Sequence, residues 1–176
     1  MNIVVYIATS LDGYIADKQG NIDWLTDIEN PENSDFGFAD FLNEIDAIVM
    51  GRTTFETIMS FDIDWPYTQP VFVLSHTLKR LSTSLPDNVE IMSGNVSEII
   101  QRLNQNNYKR VYIDGGKTVQ GFIDEGFVDE LIITKIPILL GHGVPLFIPN
   151  NNKIEFVHYK TEIYRDSLVK SHYKRK

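Results

Sequence analysis

Short, continuous apolar runs alternate along this chain with stretches whose apolar residues recur every three or four positions. Residues 2–8 are a short, β-branched run without alternation, the pattern of a buried strand, and 47–50, 71–74, 89–92, 111–113 and 128–136 are further apolar segments that predict strands. Between them, Phe38, Phe41, Leu42 and Ile45 fall at i, i+3, i+4 and i+7 and predict a helix. Residues 30–34 offer it an N-cap, so that helix is expected from about Asp35. Val96, Ile99, Ile100 and Leu103 stripe a second helix, and Val119, Phe122 and Ile123 a third that ends at Gly126. Residues 53–59 predict a short one. Only the last two apolar segments, 154–161 and 167–173, alternate, and a turn near Arg165 and Asp166 would join them as an antiparallel hairpin. Strands alternating with helices predict an α/β fold whose mixed, mostly parallel sheet is covered on both faces. With 176 residues and no repeat, linker or low-complexity stretch, the expectation is one domain over 1–176.

Composition narrows the function more than the fold. The chain has no cysteine, which excludes disulfides, thiolate catalysis and cysteine-ligated metal. Its four histidines, His76, His142, His158 and His172, show no ligand spacing, and no metal is expected. The apolar run at residues 3–8 is too short for a secretory signal, and no stretch approaches the roughly 20 residues of a membrane span, so a cytoplasmic location is expected. A net charge of −8 disfavours nucleic acid and anionic membranes as partners. Ten acidic residues and one basic residue, Lys18, lie in 1–51. The basic stretch 170–176 reads as a solvated strand end.

Two places break the strand–helix rhythm in one way: an apolar strand meets glycine and a helix opens at once. The first is Val49-Met50-Gly51-Arg52-Thr53-Thr54-Phe55 and the second Ile113-Asp114-Gly115-Gly116-Lys117. Glycine there lets the backbone approach a ligand closely, and the helix behind it aims free N–H groups and a partial positive charge at the same point. Two such turns in a small domain suggest a diphosphate gripped from two sides. Lys117, Thr118 and Gln120 lie in the first turn of the second helix, within reach of phosphate or ribose.

The motifs resemble the dihydrofolate-reductase-like superfamily from end to end, most nearly the C-terminal reductase domain of the bifunctional riboflavin-biosynthesis deaminase-reductase. The resemblance is carried by Ile7-Ala8 with Leu11-Asp12-Gly13-Tyr14-Ile15-Ala16, by the two glycine turns, by Leu74-Ser75, by Gly126-Phe127-Val128-Asp129-Glu130-Leu131, and by Pro137, Leu140-Gly141, Gly143 and Pro145-Leu146-Phe147. It implies a three-layer fold and NADPH as cofactor. Ala8, Ile15 and Ala16 would line the nicotinamide. Gly51, Arg52, Thr53 and Thr54 would form one phosphate turn, and Gly115, Gly116, Lys117 and Thr118 the other. Leu74, Ser75 and His76 would meet the adenosine end. The loop 11–23 would close over the site, and the closing strands would pair two copies into a homodimer.

The resemblance also implies hydride transfer to a small heterocycle, either a pyrimidine such as 5-amino-6-(5-phosphoribosylamino)uracil or a pterin. Dihydrofolate reductase activity proper and a nucleotide-binding or regulatory protein without turnover are the alternatives. Three departures matter. Asp114 stands where folate enzymes carry glycine, and His76 stands where relatives often carry the arginine that meets the 2′-phosphate. Residues 62–70 hold no base, and no arginine precedes Arg52, so the basic contacts that both best-known substrates use are missing. Asp35, sixteen residues before Gly51, has the spacing of the acid that bonds the substrate heterocycle in folate reductases. It is expected to be partly desolvated with a raised pKa, able to anchor an N–C–N edge or relay a proton. Trp24 and Trp65 are candidate pocket walls.

Overall fold

The chain is described by a computed structural model covering residues 1–61, 63–82, 85–149 and 153–176. Eight strands form one sheet in the order β5-β4-β3-β6-β1-β7-β10-β9. These are β1 (Asn2–Ser10), β3 (Ala47–Gly51), β4 (Val71–Leu74), β5 (Val89–Met92), β6 (Arg110–Asp114), β7 (Glu130–Ile136), β9 (Phe156–Tyr164) and β10 (Leu168–Arg175). Every pairing from β5 to β7 is parallel, while β10 runs antiparallel to both β7 and β9. The hairpin turn places Arg165 and Asp166 at φ 53° and 55°, the left-handed pair that a tight hairpin turn requires.

Helices α4 (Val96–Gln105) and α5 (Gly116–Asp124) cover one face through Ile99, Leu103, Val119 and Phe122. Helices α2 (Phe38–Asn43) and α3 (Arg52–Ser60) cover the other through Phe41 and Phe55. This is the dihydrofolate-reductase-like three-layer arrangement. Local chemistry sets the helix ends. Asn95 and Glu98 form a reciprocal capping box on α4. At the end of α5, the N–H of Gly126 (φ 73°) bonds Ile123 O and that of Phe127 bonds Phe122 O, a Schellman closure.

Several sequence expectations are corrected. The helix expected from Asp35 begins at Phe38, because Asn33, Phe36 and Gly37 adopt φ 48°, 52° and 80°, which no helix tolerates. The seventh strand begins at Glu130 rather than residue 128, and the last two run to Tyr164 and Arg175. The basic stretch 170–176 is a solvated end only from Lys174 onward. Strand β10 lies inside the sheet, and Lys170 is 2% exposed. A second sheet, β2 (Tyr14–Ala16) with β8 (Val144–Pro145), and the short helix α1 (Asp23–Thr26) carried no clear periodicity in the sequence. That second sheet ties the loop after β1 to the loop after β7. Asp12 strengthens the tie by accepting from the N–H groups of Leu140 (3.2 Å) and Gly141 (2.7 Å). The loop expected to close over the site is therefore tied at residues 12–16 to its neighbour.

Candidate active site

Because β1, β3, β4 and β6 are parallel, their carboxyl ends converge on one rim, the usual place for a ligand in an open α/β sheet. Both glycine turns lie on this rim, and they face each other. A Cβ built on Gly51 would sit 2.9 Å from Thr118 Oγ1, and one built on Gly115 would collide with Thr54 Oγ1. Each turn thus closes over the hydroxyl that begins the opposite helix. Gly115 at φ 91° has a second reason to be glycine. Ile15 packs on Gly116, since a Cβ there would meet Ile15 Cδ1 at 2.7 Å. This puts the loop after β1 against the second turn. Ala8 lies beside Thr134 on β7, at the same rim.

The turn after β4, expected to meet the adenosine end of a cofactor, is closed by local hydrogen bonds. Ser75 Oγ accepts from the N–H groups of Thr77 (3.2 Å) and Leu78 (2.9 Å), turning the chain at the end of β4. Arg52 reaches across to Thr77 Oγ1 at 3.3 Å and makes a loose exposed pair with Glu56 at 3.7 Å. His76 is exposed on that turn, with Lys79 and Arg80 exposed just after it. Sequence reading picked His76 and passed over these two cations, although they stand three and four residues further on. Thr53 and Lys117 are exposed on the first turns of α3 and α5.

On the side of the sheet that faces α2 and α3, aromatic rings form a packed cluster. Trp65 packs edge-on against Phe55 (5.9 Å) and Tyr67 (5.4 Å), and its indole Nε1 is buried without a partner. Trp24 lies on α1, away from this cluster, and its Nε1 is likewise buried and unpartnered. Phe41 stacks on Tyr6 at 4.5 Å and meets Tyr112 edge-on at 5.2 Å. Tyr112 donates to Tyr6 O (3.1 Å), and Tyr6 donates to Phe36 O (3.3 Å). Burial holds the phenols of Tyr6, Tyr67 and Tyr112 well above their ordinary pKa, so they stay neutral donors.

Two carboxylates stand at the two ends of this aromatic cluster. Asp114 ends β6 and bonds the N–H of Gly115 at 2.8 Å. Burial raises its pKa to about 6, against the pull of Gly115 N–H and the Tyr112 hydroxyl. Asp35 is exposed, and it accepts from the N–H groups of Gly37 (2.9 Å) and Ala39 (2.7 Å). Those two bonds hold its pKa below the usual value, with Lys170 adding a smaller pull in the same direction. The expected raised pKa at Asp35 is therefore reversed, while the residue that does have one, Asp114, was read only as a departure from a glycine pattern. Its signal in the sequence was an acid at the end of an apolar strand, two residues after Tyr112.

The chain resembles known proteins over nearly its whole length. The family model for the RibD C-terminal domain matches residues 2–165. The crystal structure of a candidate riboflavin biosynthesis protein from Shewanella sp. PV-4 is 47% identical with a TM-score of 0.94, covering 100% of this chain and 99% of that one. The diaminohydroxyphosphoribosylaminopyrimidine deaminase/5-amino-6-(5-phosphoribosylamino)uracil reductase of Thermotoga maritima shares the fold at 18% identity and a TM-score of 0.72. That match covers 99% of this chain and 56% of the Thermotoga one. Dihydrofolate reductase from Enterococcus faecalis, solved with NADP(H) and RAB-propyl, shares the fold at 18% identity and a TM-score of 0.69, covering 99% and 96%. The glycine turns, the topology and these matches agree: the chain belongs to the RibD C-terminal domain family.

Proposed function

We propose that this protein is an NADPH-dependent reductase that transfers hydride to a small heterocycle, a pyrimidine of the riboflavin-pathway type or a pterin. The observation that carries the reading is the pair of opposed glycine turns, each closed over the other's threonine hydroxyl. Two helix N-termini meeting at backbone without side chains suit a diphosphate. Gly51, Arg52, Thr53, Thr54, Gly115, Gly116, Lys117 and Thr118 would hold it. Ala8, Ile15 and Ala16 would border the nicotinamide, with Leu74, Ser75 and His76 at the adenosine. Arg52, Lys79 and Arg80 add the positive charge that a 2′-phosphate needs, compensating for a histidine at position 76.

When bound, NADPH supplies the hydride. The chain supplies the pocket and the proton. Asp35 is ionised at neutral pH and offers two oxygens to a cationic or N–H-bearing heterocycle edge, so its part is anchoring. Asp114, whose pKa burial raises to about 6, keeps a protonated fraction near neutrality and would be the group that holds a proton at this end of the rim. The aromatic cluster packed between them excludes water from that side of the sheet.

Purified protein should quench on NADPH titration and oxidise NADPH with at least one member of a pyrimidine, pterin, quinone and aldehyde panel. Gly116→Ala is the matched variant, because its Cβ meets movable side-chain ends rather than backbone and the fold tolerates it. It should weaken NADPH about tenfold or more. An unchanged NADPH affinity in that variant removes the second turn from the cofactor site, and binding without oxidation across the panel favours a regulatory nucleotide binder.

The same reading includes a homodimer. Beyond α5, an open groove of about 360 Å³ lies between Leu131, Ile133, Phe147, Phe156 and Tyr173. It borders the edge strand β9, where Ile163 is exposed on the groove's face and Val157 and Tyr159 are exposed on the opposite face. A second copy covers both the groove and the unpaired edge with one two-fold contact. Light scattering at micromolar concentration should give twice the 20.2 kDa chain mass; the mass of one chain refutes it.

A further inference from the structure

The segment that carries Asp35 is turned by local hydrogen bonds: Asn30 ties to Ser34, Phe36 N–H donates to Ser34 Oγ, and the N–H groups of Gly37 and Ala39 donate to Asp35. Helix α2 is six residues long, and because its N-cap is Gly37 the Asp35 carboxylate takes the first-turn N–H of Ala39. The three residues at positive φ before it, two of them not glycine, leave the segment in a conformation that isolated chain avoids. Its Phe36 carbonyl is held from across the sheet, by Tyr6 of β1 at 3.3 Å and by a second donor from the far end of the sequence. Lys170, buried on β10, donates through Nζ to Phe36 O and to Tyr164 Oη, the latter at 2.9 Å. The Phe36 ring meets Tyr164 edge-on at 5.6 Å. Gly37 lies so close beneath this cluster that a Cβ would come within 3.1 Å of Tyr164 Oη and 3.3 Å of Lys170 Nζ. The amine also sits over the rings of Tyr6 (5.0 Å) and Tyr164 (4.6 Å).

We infer that Lys170 is a positioning residue: from the C-terminal hairpin it clamps the left-handed bend at Phe36 and so aims the Asp35 carboxylate into the substrate cleft. This rests on the reading of Asp35 as the substrate anchor. The geometry is directional. Phe36 follows Asp35 immediately, and the two N–H groups that orient the carboxylate, on Gly37 and Ala39, lie just beyond the clamped carbonyl. Without the Lys170 bond, Phe36 O keeps only the long bond from Tyr6, and those two donors, with the carboxylate, are held less firmly. A buried ammonium is a costly choice for a purely structural peg, since an apolar residue of the same length fills the space without the desolvation. The amine is kept where a carbonyl and a phenol must be held at fixed places relative to an acid.

The test uses wild type, Lys170→Met, Lys170→Arg, Tyr164→Phe, Asp35→Asn and the Lys170→Met/Asp35→Asn double variant, each saturated with NADPH. The probe is 2,4-diaminopteridine, followed by fluorescence. Lys170→Met should lose about tenfold in probe affinity with NADPH affinity within twofold of wild type, the size of one charge-assisted bond. Lys170→Arg should restore most of it, and Tyr164→Phe, which leaves one of the two partners, should lose less. In the double variant the loss should be no larger than in Asp35→Asn alone, because Lys170 acts through Asp35. Amide exchange supplies the readout that needs no ligand: the N–H groups of Gly37 and Ala39 should exchange at least tenfold faster in Lys170→Met, with the N–H of Gly115 unchanged. Unchanged exchange at Gly37 and Ala39, or a fully additive double variant, overturns the clamp. Accelerated exchange together with an Asp35→Asn variant that binds the probe as wild type does overturns instead the role of Asp35.

Discussion

Asp35 and Asp114 are the same side chain at opposite ends of one aromatic cluster, and their surroundings drive them apart. Asp35 sits in water on a bend that turns two backbone N–H groups toward it, and its pKa falls. Asp114 sits at the end of a buried strand among phenols, with one N–H donor, and its pKa climbs to about 6. Chemical identity predicts neither outcome; solvent access and the count of donors do. Where two acids in one cleft are pushed apart, the lower serves as a fixed charge and the higher as a proton carrier. The expected division of labour follows: Asp35 holds, Asp114 donates.

The largest effect expected from breaking this division is on turnover at Asp114. Asp114→Asn keeps the shape and a hydrogen bond with the turn but carries no transferable proton. Hydride transfer to the best panel substrate should fall by about 10² to 10⁴, the range for a lost general acid, with NADPH affinity little changed. In wild type the rate should decline as pH rises through about 6, as Asp114 loses its proton, and the variant should lack that limb. A rate that is flat in pH across that region, or a variant that retains turnover, returns the proton to solvent.

Asp35→Asn should act on binding. A carboxylate paired with a charged heterocycle edge contributes about 1.5–3 kcal/mol, so affinity for a diaminopyrimidine-type ligand should drop roughly 10- to 100-fold. The ligand's affinity should be level in pH from 6 to 8 on the protein side, since Asp35 is ionised throughout. An affinity that tracks a protein group titrating near 6 would move the anchor to Asp114 and collapse the comparison.

Which parts of this were legible in the chain follows from how local their causes are. The two glycine turns could be read because strand, glycine and helix are consecutive, and nothing distant is needed to interpret Gly51 or Gly115. The parallel order of the sheet followed from the same rhythm. Asp35 could be located by spacing, but not its charge state: that depends on a left-handed bend at Phe36 and Gly37, which periodicity does not signal. Asp114 was visible as an oddity, while its raised pKa comes from burial at the end of a strand inside the sheet, which local pattern does not show. Lys170 was misread for a related reason. A basic stretch at a chain end looks solvated until β10 is seen to enter between β7 and β9. Contacts set by sheet order leave no mark on local pattern.

The smallest effects, on stability, are the sharpest because they differ in sign. Asp114 has a folded pKa above its unfolded value near 3.9, so its ionised form is penalised in the fold. The penalty is fully present above about pH 6 and is relieved as pH falls toward 4. Asp114→Asn should therefore stabilise the protein at pH 8, by about 2 kcal/mol after allowance for the open cleft, and the gain should vanish between pH 6 and 4. Asp35 has a folded pKa below its unfolded value, so its contribution is present above pH 4 and is lost only as pH falls through the lower folded value. Asparagine still accepts one of the two N–H bonds, so Asp35→Asn should cost at most about 1 kcal/mol at pH 8, a loss that persists to pH 4. Thermal melts of the three proteins from pH 4 to 8 read both signs in one experiment. Two variants shifting in the same direction at pH 8 would mean that the acids share one environment, and the anchor and the proton donor would have to be sought elsewhere on the rim.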